Sequence, residues 1–273
     1  MKKVLYPVLA ICIFLIMQTV VSVAIMVPTI INMLVNNEHI TDPSSIMAAI
    51  PMELMAGAIG VAGALTIIVI SLFKMINWKK VLNFNDINWG KAIIYILAAA
   101  FGIFACDIIE EIIDLPNLIE VEMTGMANTA IGMLSIGVIG PICEEFIFRE
   151  AVLGYMLRNK VNTWAAIIGS AIAFGLIHAN PAQIPFAAVM GVVLGYIYHK
   201  TGNIIVPCII HIINNSAAVY MMNVLGDKAD EVSITESLGG TPIALLTSAI
   251  GIALCIGIFY ITDKKKARYE LQG

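Results

Sequence analysis

Residues 4–35, VLYPVLAICIFLIMQTVVSVAIMVPTIINMLV, contain no charged side chain. Because about 20 apolar residues suffice for a helix to cross the hydrocarbon core of a bilayer, this stretch predicts a membrane helix. Lys2 and Lys3 precede it, as basic residues precede a signal peptide. Its apolar part is about twice as long as a signal-peptide core, so we expect the helix to be retained.

The composition of the whole chain agrees with this first stretch. Of the 273 residues, 60% are hydrophobic and 12% are charged, against roughly 45–50% and 25% in soluble domains. This excludes a soluble enzyme, a disordered chain, a collagen-like fibre and a basic nucleic-acid binder, so we expect a lipid bilayer and no nucleic acid as partner. The five cysteines form no C-x-x-C pair, which favours buried thiols over a zinc or disulfide framework.

Apolar segments recur along the chain and are separated by loop-sized polar stretches. We predict eight membrane helices, at residues 4–35, 46–73, 92–113, 128–158, 164–180, 184–198, 204–222 and 243–261. The predicted fold class is all-α, a multi-pass transmembrane helical bundle forming a single integral membrane domain over residues 1–273.

The basic residues predict the orientation of these helices. If the N-terminus is inside and eight spans alternate, 14 of the 15 lysines and arginines face the cytoplasm and Lys228 alone lies outside. The outer loops hold acids instead: Glu38, Asp42, Glu120, Glu122, Asp227, Asp230, Glu231 and Glu236. We therefore predict a plasma-membrane protein, bacterial or archaeal, with both termini in the cytoplasm.

Three charged residues stand in the middle of the fourth segment, in the run Glu144-Glu145-Phe-Ile-Phe-Arg149. An ionisable group inside a membrane span is expensive and so is a candidate for function. Glu145 and Arg149 are four residues apart, on one helix face, where an ion pair can form. Glu144 points about 100° away and is left to act as a general acid or base.

The fourth segment is also unusually long. As a straight helix, its residues 128–158 would span about 46 Å, more than the hydrocarbon thickness. This favours tilt, an extension into the cytoplasm, or a break, and Gly140-Pro141 is where a break would fall.

The fifth and seventh segments each carry a histidine. His178 lies four positions after Phe174, and Asn215 lies four positions after His211. With Glu144, these side chains could hold a water, remove its proton and stabilise an oxyanion. Glu144, His178 and His211 could equally bind a divalent metal such as zinc, so either no cofactor or a metal is compatible with the residues. A tilt or a bend near residues 180–181 would bring them to one depth.

A further group of acids lies at the end of the third segment. Asp107, Glu110, Glu111 and Asp114 are spaced as an acidic stripe on one helix face. The stripe could attract a cation, but a solvated helix end is the favoured interpretation.

The order E-E-x-x-x-R, F-x-x-x-H and H-x-x-x-N, each on a separate membrane helix, resembles the CAAX-protease and bacteriocin-processing family of intramembrane endopeptidases. The resemblance implies that Glu144, helped by His178, activates a water. It also implies that His211 and Asn215 line the oxyanion site or hold the water, and that Glu145 and Arg149 support them. Residues 128–222 would be a catalytic core of four helices, and the substrate would be a peptide or membrane protein.

Competing functions are predicted by fewer features. The sequence contains no H-E-x-x-H or G-x-S-x-G motif and no paired aspartates in facing spans. The main hypothesis is therefore an intramembrane endopeptidase that uses water activated by glutamate and histidine. The alternative is a non-catalytic membrane scaffold or bacteriocin-immunity protein. A lesser alternative is an ion-coupled transporter, although the chain has no inverted repeat.

Overall fold

The computed structural model describes residues 2–36, 42–81, 83–85, 87–225 and 233–270, and every regular element in these ranges is helical. The predicted all-α fold class is confirmed. The expectations for Glu38, Asp227, Lys228, Asp230 and Glu231 concern residues outside this described part.

The described elements follow in chain order. They are α1 (Lys2–Val35), α2 (Pro43–Ala48), α3 (Met52–Leu72), α4 (Trp78–Val81), α5 (Trp89–Ile113), α6 (Glu120–Ala127), α7 (Ala130–Leu134), the π-helix π1 (Ser135–Ile139), α8 (Gly140–Glu145), the π-helix π2 (Phe146–Gly154), α9 (Tyr155–Arg158), α10 (Thr163–Leu176), α11 (Gln183–Thr201), α12 (Ile205–Leu225), α13 (Ile234–Ser237) and α14 (Thr241–Glu270).

Six stretches of the described chain are long and apolar enough to cross a membrane: Lys3–Val35, Met52–Leu72, Trp89–Ile113, Ala130–Arg158, Ile205–Leu225 and Thr241–Lys264. The shorter α10, with 14 residues, and α11, with 19, stand where the fifth and sixth spans are predicted. The expected eight helices are roughly compatible with this arrangement. The chain is a multi-pass membrane protein.

The second predicted span is two helices rather than one. α2 ends at Ala48 and α3 begins at Met52, directly after Pro51. A proline disfavours helical backbone in the residue before it, so a continuous helix through Ile50 is disfavoured. Asp42 begins α2 by accepting a hydrogen bond from the Ser45 backbone N–H at 3.0 Å.

The chain forms two compact units. The first comprises Met1–Asn77, Ile119–Asn162 and His211–Gly226. In it, α1 packs along α3, and α3 packs against α7, π1 and α8. Gly63 permits this last contact, because a Cβ atom there would lie 2.7 Å from Cys143 Sγ. Its core consists of Ala56, Met126, Ala127, Ile136 and Val219.

The second unit comprises Trp78–Leu118, Thr163–Ile210 and Asp227–Gly273. α14 packs along α5, and the short connection between α10 and α11 makes them an antiparallel pair. Asp263 near the end of α14 accepts hydrogen bonds from the hydroxyls of Tyr95 and Tyr196 and pairs with Lys200 Nζ at 3.2 Å. One carboxylate thus ties α5, α11 and α14 together.

Candidate active site

The long fourth segment runs from Ala130 to Arg158 without interruption. The expected break at Gly140-Pro141 is replaced by altered winding, because π1 and π2 flank the six-residue α8. π-helical turns are rare in proteins, and many of those that occur lie at functional sites.

Proline chemistry explains where the winding changes. Pro141 has no N–H, so it cannot donate to the carbonyl of Gly137 in an α-helix or of Ile136 in a π-helix. Both carbonyls accept hydrogen bonds from α12 instead: Ile136 O from Asn215 Nδ2 at 3.3 Å, and Gly137 O from Ser216 Oγ at 3.1 Å. Each carbonyl that could lose its helical donor to Pro141 therefore has a partner on the helix that carries His211.

The motif acids meet α12 one turn further along. Glu145 and Arg149 are both 0% exposed, and Glu145 Oε2 lies 3.1 Å from Arg149 Nε, as the spacing predicts. The other oxygen, Glu145 Oε1, lies 3.0 Å from Nδ1 of His211. Because a carboxylate can only accept, the hydrogen of this bond belongs to His211 Nδ1.

His211 also approaches the first acid of the motif. Its Nε2 lies 3.6 Å from Glu144 Oε2, which is too long for a direct hydrogen bond. Glu144 Oε2 is buried, has no hydrogen-bond partner among the described residues, and belongs to a side chain that is 20% exposed. The imidazole therefore stands between the two carboxylates, with its Nε2 lone pair directed towards Glu144 when the ring is neutral.

Asn215 completes the group that the first unit brings together. Besides donating to Ile136 O, its Oδ1 accepts a hydrogen bond from Asn214 Nδ2 at 3.2 Å. Glu145 thus contacts both Arg149 and His211, and His211 also approaches Glu144. Asn215 lies four residues after His211 on α12.

His178 belongs to the second unit, in the turn after α10. Its Nδ1 lies 2.8 Å from the carbonyl oxygen of Phe174, which can only accept, so the hydrogen is on Nδ1 and Nε2 is the acceptor. The same phenylalanine packs edge-on against the imidazole, with ring centroids 5.1 Å apart. The F-x-x-x-H spacing thus fixes both the tautomer and the orientation of His178.

The turn that carries His178 is anchored within the second unit. Asn180 is fully buried; its Oδ1 accepts from the Leu118 backbone N–H at 3.0 Å, and its Nδ2 donates to Asn117 Oδ1 at 2.8 Å. Ala179 adopts φ +52°, a left-handed conformation that reverses the chain. A tight polar turn therefore lies where a bend is one of the two expected geometries, and the common depth of the site residues stays a prediction.

One member of the acidic stripe has a structural role. Glu111 accepts hydrogen bonds from Ser233 Oγ at 2.6 Å and from the backbone N–H groups of Ile234 and Thr235 at 2.8 and 3.0 Å. It therefore holds the start of α13 to the end of α5.

Among the described residues, no group of three or more His, Cys, Asp or Glu side chains is arranged to hold a metal ion. The metal set of Glu144, His178 and His211 stays a prediction, and no step below is routed through a metal.

Sequence reasoning missed two residues. Ser216 is unremarkable in sequence, because its role depends on a carbonyl freed in another helix. Glu150 directly follows Arg149 in an apolar stretch, so its charge was a signal. It is fully buried and hydrogen-bonded to Arg158 and to the Asn77 backbone N–H.

Residues 126–217 match the model of a family described as type II CAAX prenyl endopeptidase Rce1-like. YdiL of Bacillus subtilis (strain 168), provisionally named a membrane peptidase, is 34% identical over 84 residues, which are 31% of this chain and 34% of YdiL. MroQ of Staphylococcus aureus (strain USA300), named a membrane-embedded CAAX protease, is 34% identical over 89 residues, 31% of this chain and 36% of MroQ.

A third relative is matched over a longer stretch. YxdF of Lactococcus lactis subsp. lactis (strain IL1403), a UPF0177 protein, is 27% identical over 161 residues, 54% of this chain and 87% of YxdF. The matched region spans about a third of the length of YdiL and of MroQ. No solved structure matches the chain significantly. The resemblance predicted from the three motifs is thus confirmed: over residues 126–217, this chain is similar to the Rce1-like type II CAAX prenyl endopeptidase family.

Proposed function

We propose that this protein is an intramembrane endopeptidase that hydrolyses a peptide bond of a membrane-associated protein or peptide. The observation that carries the proposal is the position of His211 between two motif carboxylates, at 3.0 Å from Glu145 and 3.6 Å from Glu144. These residues lie inside the segment that matches the peptidase family. The resemblance and the geometry thus support the same residues.

His211 Nε2 and Glu144 Oε2, which are 3.6 Å apart, are close enough for one water to contact both atoms from the same side. A water about 2.8 Å from each atom would donate one hydrogen to each acceptor, which leaves its lone pairs directed away from both. The nucleophile would then face a substrate carbonyl. In this proposal Glu144 is the general base, and His211 holds the water.

The buried pair of Glu145 and Arg149 lets His211 take part in proton transfer as well as hold the water. When Glu144 takes the proton of the attacking water, the new C–O bond places negative charge on the carbonyl oxygen. Glu145, paired with Arg149 at 3.1 Å, lies 3.0 Å from His211 Nδ1, where it can stabilise the positive charge that the ring gains during proton transfer. The proton can therefore pass between Glu144 and His211 before it reaches the leaving amine nitrogen as the C–N bond breaks.

The remaining motif residues are assigned by resemblance. Asn215, four residues after His211 on the same face of α12, would donate an N–H to the oxyanion. His178 would assist water activation, for which its Nε2 is available as an acceptor while Nδ1 is bonded to Phe174 O. An extended substrate segment suits the site, because a closed helix hides its carbonyls.

We also propose an orientation, from the distribution of basic residues. Both termini are assigned to the cytoplasm, and the membrane to the plasma membrane of a bacterium or archaeon. The relatives YdiL, MroQ and YxdF are bacterial proteins.

The test is a peptide-level comparison of membranes by mass spectrometry. Cells would carry wild-type protein or Glu144→Gln at matched amounts of folded protein, and Glu53→Gln, an exposed residue of α3, would control for the loss of charge. We expect fragments that appear with wild type and Glu53→Gln but fall at least ~100-fold with Glu144→Gln.

Two histidine variants extend the test. His178→Ala should also remove the fragments, whereas His199→Ala, at an exposed position in the same unit, should not. Equal fragment profiles in wild type and Glu144→Gln would refute the peptidase. If the cellular phenotype also survived the substitution, the non-catalytic scaffold or immunity protein would take its place.

A further inference from the structure

A second buried charge cluster lies in the first unit, and the proposed chemistry does not use it. Glu150 in π2 is 0% exposed, and its Oε1 accepts hydrogen bonds from Arg158 Nη1 and from the Asn77 backbone N–H, the latter at 3.1 Å. Arg158 Nη2 also donates to Met75 O at 2.7 Å and to Glu150 O at 3.3 Å. These four residues, Met75, Asn77, Glu150 and Arg158, are called the Glu150 cluster below.

The Glu150 cluster fixes the position of the connection that follows α3. Two residues after the last residue of α3, Lys74 adopts φ +55°, and the Met75 N–H donates a hydrogen bond back to Ile70 O at 3.2 Å. The carbonyl of Met75 and the N–H of Asn77 then face Arg158 and Glu150. The end of α3 is thereby attached to both π2 and α9.

The position of Glu150 next to Arg149 connects this cluster to the proposed active site. Successive residues of a helix point in different directions, so Arg149 and Glu150 restrain the helix on two sides. Arg149 contacts Glu145, and Glu145 sets the tautomer of His211. A rotation of π2 would move Arg149 away from Glu145 and would disturb the imidazole.

Apolar packing, as of Phe148 against Phe14, also holds π2, but the Glu150 cluster supplies the hydrogen bonds that join π2 to the end of α3. A π-helix is a rare conformation that needs support from its surroundings, and π2 is nine residues long. Burying a carboxylate inside a membrane span costs free energy, and pairing with a cation reduces that cost. A carboxylate at such a position is therefore a candidate for a structural or functional role. Holding the winding of π2 is such a task.

We propose that Glu150, with Arg158, is a positioning residue of the peptidase: it holds the π-helical winding that keeps Arg149 against Glu145 and His211 in register with Glu144. This inference rests on the proposed function. The Arg158 side chain is 31% exposed, so the positive charge that pairs with the buried Glu150 comes from a partly exposed position.

The test compares Glu150→Gln, Arg158→Gln and the double variant with wild type. The readout is the rate at which the wild-type fragments form in purified membranes, per molecule of folded protein, as a function of pH. We expect each single variant to lower that rate between about ten- and hundred-fold, as for a misplacement of about 1 Å. The double variant should be no slower than either single one, because both remove the same interaction.

The pH profile separates positioning from folding. A shifted Arg149 changes the electrostatic environment of Glu145 and His211, so the half-maximal pH of the rate should move in all three variants. Asn223→Ala removes another interhelical hydrogen bond of this unit, to Asn128 Oδ1 at 3.1 Å. This control should keep the wild-type rate per folded molecule and the wild-type pH profile.

Each outcome decides the question. If Glu150→Gln does not fold, Arg158→Lys carries the test, because it retains the charge but not all three hydrogen bonds of Arg158, and a reduced rate with a shifted pH profile is expected. Unchanged rate and pH profile per folded molecule in the variants that fold would overturn the inference. Persistence of the fragments in Glu144→Gln would instead overturn the proposed function, so the two failures are distinguishable.

Discussion

Restoring a backbone N–H in place of Pro141 should make the hydroxyl of Ser216 dispensable. In the native protein Pro141 cannot donate the α-helical i,i+4 hydrogen bond to Gly137 O, which accepts from Ser216 Oγ at 3.1 Å. Ser216→Ala leaves that carbonyl without this partner and keeps the Cβ that packs beside Gly137. Since interhelical hydrogen bonds in membranes contribute about 0.6 kcal/mol on average and up to about 1.7, we expect a loss of about 1 kcal/mol of unfolding free energy.

The same substitution should have almost no effect in a Pro141→Ala background, because the restored backbone N–H of the substituted residue can bond Gly137 O. A double-mutant cycle in mixed micelles, with unfolding followed by circular dichroism, measures the difference, and the coupling should be about 1 kcal/mol. Thr66→Val, which removes a hydroxyl bonded to Ala62 O inside α3, is the control and should show no coupling. Equal losses in the two backgrounds, within about 0.3 kcal/mol, would refute the link between Pro141 and α12.

Three further substitutions test the packing and the turn. Gly63→Ala should lower the free energy of unfolding by about 1–3 kcal/mol, because the added Cβ would lie 2.7 Å from Cys143 Sγ. Gly169→Ala should not lower it, because the added Cβ would have no neighbouring atom within 4 Å, and thermal unfolding in detergent compares the two variants. Asn180→Ala should destabilise by about 1 kcal/mol and speed amide exchange at Leu118, between α5 and α6, because it removes the hydrogen bond from the Leu118 N–H; unchanged exchange would contradict this. Ala179→Gly should raise the midpoint of thermal unfolding slightly, since φ +52° strains alanine, and a lower midpoint would count against that strain.

The fold was predictable because its signals are long-ranged averages over each segment. Apolar length placed the membrane helices within a few residues, as at α5 and α12. The separation of α2 from α3 could have been predicted too, since Pro51 is a local signal. The winding of π1 could not, because it depends on two side chains of α12 that lie 79 positions away in the sequence.

The candidate site was predictable in its local pairs. The Glu145–Arg149 contact follows from i,i+4 spacing, and the Phe174–His178 contact from the same rule. The approach of His211 to both glutamates is a contact between distant segments, and spacing along one helix carries no information about it.

Because α10 is short, the thickness of the surrounding bilayer is expected to affect the free energy of the folded protein. The 14 residues of α10 extend about 21 Å, whereas a typical hydrocarbon core is about 30 Å thick. If α10 spans the bilayer as its position in the sequence predicts, the acyl chains beside it have to shorten, or the helix pair has to shift, at fractions of a kcal/mol for each ångström of mismatch. Over about 9 Å the strain is on the order of a few kcal/mol, and it acts on the turn that carries His178. Acyl-chain length would thus act on the position of His178, one of the proposed catalytic residues, without any ligand.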